Sequence, residues 1–234
     1  MYLTGISKLW DFSFLLNKEV VLGFVSGLGT TLAIAILGVA VGIIIGILLA
    51  VGKLVGNKFV KAICTIYINW FRGTPLLLQL YMLFYVTDFL THELLGITIF
   101  GTHTFVVAFV AIGLNSAAYV AEIFRAGILS IDKGQFEAAR SLGLNYPKTL
   151  KLIILPQAIR NILPALGNEY ISVIKETAIV STIGANDLMF YGNQMRNLMY
   201  NPFPPLFLVG ITYFVVVYFL TKLVTLWERK LKND

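Results

Sequence analysis

Apolar residues fall along this chain in long blocks rather than in a two-residue alternation. The first block, 20–52, has no charge between Glu19 and Lys53, and as a helix it would be roughly 50 Å long. A bilayer core is only about 30 Å thick, so this helix must tilt or project beyond the lipid. It is too long for a signal-peptide core, and no small-residue cleavage site follows it. The second block, 62–86, is interrupted by Arg72 and by the helix-weakening Gly73, Thr74 and Pro75. The third, 104–126, is apolar to Ala121 and continues as helix through Glu122 and Arg125. The fourth, 159–183, carries Glu169, Lys175 and Glu176. The fifth, 203–226, follows a turn at 201–205. This pattern predicts an all-α, polytopic membrane protein with about five transmembrane helices. Residues 1–19, with Tyr2, Trp10, Phe12 and Phe14 among Lys8, Asp11, Lys18 and Glu19, predict an amphipathic segment in the membrane interface. Residues 20–227 then form a single transmembrane domain, and 228–234 a short tail.

Composition agrees: 58% of the 234 residues are hydrophobic and 13% charged. Soluble domains carry about a quarter of their residues as charge, so lipid must solvate much of this surface. One cysteine, Cys64, excludes a disulfide framework, and two histidines, His92 and His103, leave no zinc site. No metal ligand set and no catalytic constellation stands out. The net charge of +6 is explained by its placement. Lys53, Lys58 and Lys61 occupy the first loop; Lys133, Arg140, Lys148 and Lys151 the third; Lys222, Arg229, Lys230 and Lys232 the tail. The second loop, 87–103, has no Lys or Arg, and the fourth has only Arg196. By the positive-inside rule, loops one and three and the C-terminus are cytoplasmic and the N-terminus is outside. A nucleic-acid partner is not needed to account for the basic charge.

Within the first block, Gly23 and Gly27, then Gly38, Gly42 and Gly46, recur every four residues and place small side chains on one helical face. Such faces let helix backbones approach closely in lipid, so helix packing is the expected use. The third loop is long for a connector. Asp132 is a good N-cap, Gln135 stands where a capping box would close, and Gly143 where a left-handed C-cap belongs. These predict a separate cytoplasmic helix at about 133–142, between spans three and four. Phe136 and Ala139 share a face of it, and the small Ala138 and Ala139 would let a partner surface approach. Asn145 and Pro147 start another helix, which bends near Pro156 and Pro164.

Glu137, Ala138 and Ala139, three residues, Gly143, nine residues, then Ile153, Leu155 and Pro156 resemble the cytoplasmic "EAA" motif of permease subunits of binding-protein-dependent ABC importers. Three further segments look like signatures of that family's polar amino-acid branch: Phe71-Arg72-Gly73-Thr74-Pro75-Leu76-Leu77, Ala121-Glu122-Ile123-Phe124-Arg125-Ala126-Gly127-Ile128, and Lys175-Glu176-Thr177. The resemblance covers about 29–227 and implies the type I, MetI-like permease fold. It implies that the 133–142 helix is a coupling helix docking on an ATPase subunit. Glu137, Ala138, Ala139 and Gly143 are then coupling residues, with Gln135 and Ser141 beside them. A capped interfacial helix with no partner is the alternative. The chain has no G-x-x-x-x-G-K-[ST] segment, so it carries no cofactor itself, and ATP and Mg belong to the partner ATPase. The implied partners are an ATPase dimer, a second permease copy or paralogue, an extracellular or periplasmic amino-acid-binding protein, an amino-acid substrate and membrane lipid. The implied location is the cytoplasmic membrane of a prokaryote.

Charges within spans cost about 2.5–3.5 kcal/mol each, so each calls for a partner or a wet path. Arg72 lies ten residues beyond Ala62, about 15 Å into its span. Pro75 removes a backbone donor and pushes Thr74 from helical geometry. Broken helices at mid-membrane are where transporters bind ligands. Arg72, or the backbone at Gly73 and Thr74, would meet a substrate carboxylate; alternatively Arg72 snorkels, or pairs with Glu122 or Glu169. Asn115, Tyr119 and Glu122 fall at i, i+4 and i+7 on one helical face, with Ser116 beside them, and form the candidate pathway lining. Glu122 would accept a cationic or α-amino group, or else pair with Arg125. Lys175 and Glu176 face the same choice between substrate and internal ion pair. The expected function is import of polar amino acids, with Glu122 favouring cationic ones such as arginine, lysine or histidine. Glutamine and other neutral polar amino acids are the alternative. A secondary transporter or channel is the rival class, and a purely structural membrane protein would leave Arg72, Glu122 and Lys175 unexplained.

Overall fold

The computed structural model describes residues 10–95 and 103–233, and among them the chain is helical throughout apart from turns and short connections. A 3-10 turn at Ser13–Leu16 leads into α1, Lys18–Val55, whose start is fixed by Asn17 accepting from the Glu19 amide at 2.9 Å. Asn57 caps α2, Lys58–Gly73, in the same way. Then come α3 (Leu76–Leu95), α4 (Thr104–Leu129), α5 (Lys133–Ser141) and α6 (Tyr146–Thr149). A wide π turn, Leu150–Ile154, joins α6 to α7, Leu155–Glu176, just before Pro156. The Leu155 amide there reaches five residues back to the Leu150 carbonyl. A 3-10 turn at Thr177–Ile183, α8 (Leu188–Met199) and α9 (Phe203–Asn233) complete the chain.

Four stretches among the described residues are long and apolar enough to cross a membrane: Lys18–Val55, Thr104–Leu129, Tyr146–Ile183 and Phe203–Leu231. The span expected at 62–86 is instead two helices, α2 and α3, neither of which qualifies by itself. Thr74 is extended (φ −120°, ψ 148°), as a residue before proline prefers, and the helix restarts at Leu76. The stretch expected at 159–183 begins earlier, at Tyr146. The tail is a continuation of α9 rather than a separate segment.

The core forms where α1, α3, α4 and α7 converge. Ile34 and Ala35, Leu80, Ala108 and Ile112, and Val173 and Ile174 are buried there together. The glycine face of α1 lies in this seam: a Cβ on Gly46 would stand 2.7 Å from Val120 Cγ1 and 2.9 Å from the Ala117 carbonyl oxygen. Nearer the start of α1, Gly27 is pressed instead against Tyr191 and the Asp187 carbonyl, beside α8. The four-residue repeat is therefore packing within the chain. Large apolar side chains on the outer faces, including Ile44, Leu48, Phe214 and Phe219, stay exposed, which suits contact with lipid.

Helix α8 was not expected in the fourth loop. Asp187, fully buried, starts it by accepting from the Phe190 amide at 2.9 Å and the Met189 amide at 3.2 Å. Thr31 of α1 accepts from the next amide, Leu188, at 3.1 Å. Burial pushes the Asp187 carboxyl up to about 7, against the opposing pull of the amide donors. In the expected interfacial segment, Trp10 packs edge-on against Phe203 and Phe207 at 5.2 and 5.6 Å, and Phe14 against Phe24. Tyr2 and Lys8 of that segment, residues 96–102 of the second loop and Asp234 of the tail lie outside the described residues.

Candidate functional site

The break between α2 and α3 organises the membrane site. In an unbroken helix the Phe71 carbonyl would accept from the amide four residues on, but that residue is Pro75, which has none. Side chains supply the missing donors: Gln79 Nε2 at 3.0 Å and Asn115 Nδ2 at 3.2 Å. Gln79 Nε2 also reaches the Thr74 carbonyl at 3.0 Å and Thr74 Oγ1 at 2.8 Å, while its Oε1 accepts from Asn115 at 2.9 Å. One turn earlier, Tyr67 Oη donates to the Leu114 carbonyl of α4 at 2.8 Å. Asn115 and Thr74, both expected to line the pathway, are thus brought together as a brace, with Asn115 only 5% exposed.

Arg72 is exposed beside this brace and lies over the Tyr119 ring, 5.6 Å from its centroid. Among the described residues it has no anionic partner, so the expected alternatives of pairing with Glu122 or Glu169 are not realised. Glu122 is taken elsewhere. Lys53, at the end of α1, reaches its Oε1 at 2.6 Å, and Arg125 its Oε2 at 2.8 Å. The Arg125 alternative is therefore the one observed, with a second cation that the loop assignment of Lys53 concealed.

Ser116 is buried and donates to Glu169 of α7 at 2.8 Å. Glu169 and Glu176 stand seven residues apart on one face of α7, and among the described residues neither forms an ion pair. Lys175 is exposed and likewise unpaired, so the internal pair with Glu176 is absent.

The predicted cytoplasmic helix is α5. Asp132 caps it through Oδ1, which accepts from the Gly134 amide at 2.6 Å. The capping box is not completed: the Gln135 side chain turns to Gln157 of α7 instead. Gly143 is left-handed (φ 78°), with Leu144 N–H to the Ala139 carbonyl at 3.1 Å and Gly143 N–H to Arg140 at 2.9 Å, a Schellman end. Gln135, Glu137, Ala138, Ser141 and Gly143 are exposed. Ala139 is 1% exposed and faces inward, so it supports the helix rather than meeting a partner. Phe136 stacks on Tyr146 at 6.3 Å and fixes α5 to the start of α6. Leu142, 80% exposed at the C-cap, escaped the sequence reading. Gln79 escaped it too, although a lone amide four residues after Pro75 was the available signal.

The described bundle thus bares an arginine at a broken helix and sets a capped, largely exposed helix, α5, against the start of the Tyr146–Ile183 stretch. The same fold is found in the crystal structure of an amino acid ABC transporter with histidines, at 40% identity and a TM-score of 0.83 over 94% of this chain and 98% of that one. It recurs in an inward-facing MetNI methionine ABC transporter, at 23% identity and a TM-score of 0.68 over 93% of this chain and 98% of that one. Residues 42–233 match the binding-protein-dependent transport system inner membrane components, and the chain belongs to that family. The arginine transport system permease protein ArtQ of Bacillus subtilis is 44% identical over 210 residues, covering 90% of this chain and 93% of ArtQ. The putative glutamine transport system permease GlnP of Rickettsia bellii is 39% identical over 211 residues, covering 90% and 94%. This chain is accordingly a multi-pass permease subunit of an amino-acid ABC importer and not an enzyme; ATP hydrolysis is the work of a separate ATPase.

Proposed function

We propose that this chain, paired with a second permease, forms the translocation pathway for polar amino acids and carries cationic ones such as arginine, lysine or histidine. The observation that carries the amino-acid pathway, whichever side chain is transported, is Arg72: exposed, stacked on Tyr119, beside a helix break, and among the described residues without an anion of its own. A guanidinium so placed is suited to a substrate α-carboxylate. Glu122 is spent on Lys53 and Arg125, so it is a poor acceptor for a cationic side chain. The unpaired Glu169 and Glu176 of α7 are better placed for that part, with Ser116 orienting Glu169. The likeness to ArtQ supports a cationic substrate, and the likeness to GlnP keeps glutamine as the second reading.

On the cytoplasmic side, α5 offers Gln135, Glu137, Ala138, Ser141 and Gly143, with Leu142 beside them, to an ATPase dimer that holds ATP and Mg. The N-terminus lies outside, where a binding protein delivers substrate, and the membrane is the cytoplasmic membrane of a prokaryote. The test is ATPase activity in proteoliposomes containing this permease, its ATPase and binding protein, across cationic, neutral and acidic amino acids. Stimulation by arginine, lysine or histidine alone supports the cationic reading; stimulation by glutamine alone replaces it.

A further inference from the structure

We propose that Gln79 and Asn115 are positioning residues for transport: they take the place of the backbone hydrogen bond that Pro75 abolishes and so hold the α2–α3 break in the shape that presents Arg72. This rests on the reading that the break faces the substrate. The chemistry of the acceptors fixes the arrangement. The carbonyls of Phe71 and Thr74 only accept, so Gln79 must turn its NH2 toward them, which leaves Oε1 for the NH2 of Asn115. Asn115 then spends one proton on Gln79 and the other on Phe71. Both amides are nearly out of solvent, at 7% and 5% exposure, where an unmade bond is costly.

The brace ties three elements to one point. Gln79 belongs to α3, Phe71 to α2 and Asn115 to α4. The attachment is reciprocal, since Tyr67 of α2 donates to the backbone of α4 while Asn115 of α4 donates to the backbone of α2. Arg72 is the residue after Phe71, and the ring it lies over, Tyr119, is one turn beyond Asn115. A shift of the Phe71 carbonyl relative to Asn115 therefore moves the guanidinium relative to its ring. An open apolar groove of about 240 Å³ lined by Trp70, Phe71, Gln79, Met82 and Leu114 adjoins the brace, so the break is not walled in on that side by other helices of this chain.

The test compares Gln79→Leu, Arg72→Ala and the double variant in the intact permease–ATPase complex in proteoliposomes, with the binding protein supplied. Expected is a KM for uptake raised about tenfold by Gln79→Leu with Vmax within about twofold, the loss of one or two buried hydrogen bonds. Arg72→Ala removes the group that the brace presents, so in that background Gln79→Leu should raise KM by no more than about twofold further. Asn115→Leu, tested in the same cycle, serves if Gln79→Leu does not assemble. An unchanged KM in the Gln79 and Asn115 variants, or a Gln79→Leu penalty equal with and without Arg72→Ala, overturns the proposal even if Arg72→Ala is defective. Arg72→Ala indistinguishable from wild type removes instead the carboxylate role of Arg72, the reading on which the proposal rests.

Discussion

Lys53 and Glu122 meet at 2.6 Å although 69 residues of chain separate them. Arg125 takes the other carboxylate oxygen, so one anion in the last two turns of α4 is shared by two cations from different helices. The arrangement satisfies the demand that an acid in a span be paired, and it ties the end of α1 to α4 where the chain turns toward α5.

Replacing Glu122 with Gln leaves Lys53 and Arg125 facing each other across a neutral amide. The carboxylate is partly exposed, so the expected destabilisation is about 1–3 kcal/mol, below that of a fully buried pair. Uptake of arginine and of glutamine should fall by similar factors, because both oxygens of this carboxylate are already taken by Lys53 and Arg125. Transport assays with both amino acids check this; a loss confined to cationic substrates would put Glu122 in contact with them.

On α5, Leu142 and Ala139 separate docking from folding. Leu142→Asp changes an 80% exposed side chain, so the permease should keep its thermal stability while ATPase copurification falls at least about tenfold. Ala139→Leu forces bulk into a position 1% exposed and should lower the melting temperature of the permease alone. The two variants exchanging these phenotypes would mean that α5 docks by its other face.

In the α1–α4 seam, Gly46→Leu places atoms where Val120 and the Ala117 carbonyl already stand. Overpacking of this kind costs about 1–3 kcal/mol, and cysteine cross-linking between α1 and α4 should report the displaced helix. Gly29, where an added Cβ meets only open space, should accept alanine without displacing a helix and without loss of stability.

Much of this arrangement was legible in the sequence because it is written in local chemistry. Asp132 and Gly143 bound α5 by capping alone, and the glycine period of α1 marked the close-packed face. The break at Pro75 could be read, but its consequence for span number could not, since Gly73 and Pro75 leave two helices each too short or too polar to stand as a span. Partners were the weak point. The Lys53–Glu122 contact and the Gln79–Asn115 brace join residues 69 and 36 positions apart, and side-chain spacing within one helix carries no information about them. Asn115 therefore looked free to meet substrate, and for Glu122 only the pair with Arg125 could be foreseen, when each was already bound to a residue on another helix.

Asp187 makes stability depend on pH. Its folded value of about 7 lies above the ordinary 3.8, so the folded state binds the proton more tightly than the unfolded one. The cost of ionising it is fully present above pH 7 and disappears as pH falls through the folded value toward 4. Wild type should gain thermal stability between pH 8 and pH 5 relative to Asp187→Asn, in which Oδ1 still accepts from Phe190 but nothing titrates. Parallel melting profiles of the two proteins would show that Asp187 is ionised throughout.

Arg72 gives the most direct test of the pathway, because its proposed partner can be deleted from the substrate instead of the protein. Agmatine is arginine without the α-carboxylate. Without the binding protein, the purified permease–ATPase complex should bind arginine about ten- to a hundredfold more tightly than agmatine, the scale of one charge-assisted bidentate contact. Arg72→Ala should abolish that preference by weakening arginine while leaving agmatine nearly unchanged. Arg72→Lys should recover only part of it, since an ammonium keeps the charge but not the planar fork or the full stack on Tyr119. Calorimetric titration of the three proteins with the two ligands decides the matter. If Arg72→Ala weakens both ligands equally, the guanidinium shapes the break without touching the carboxylate.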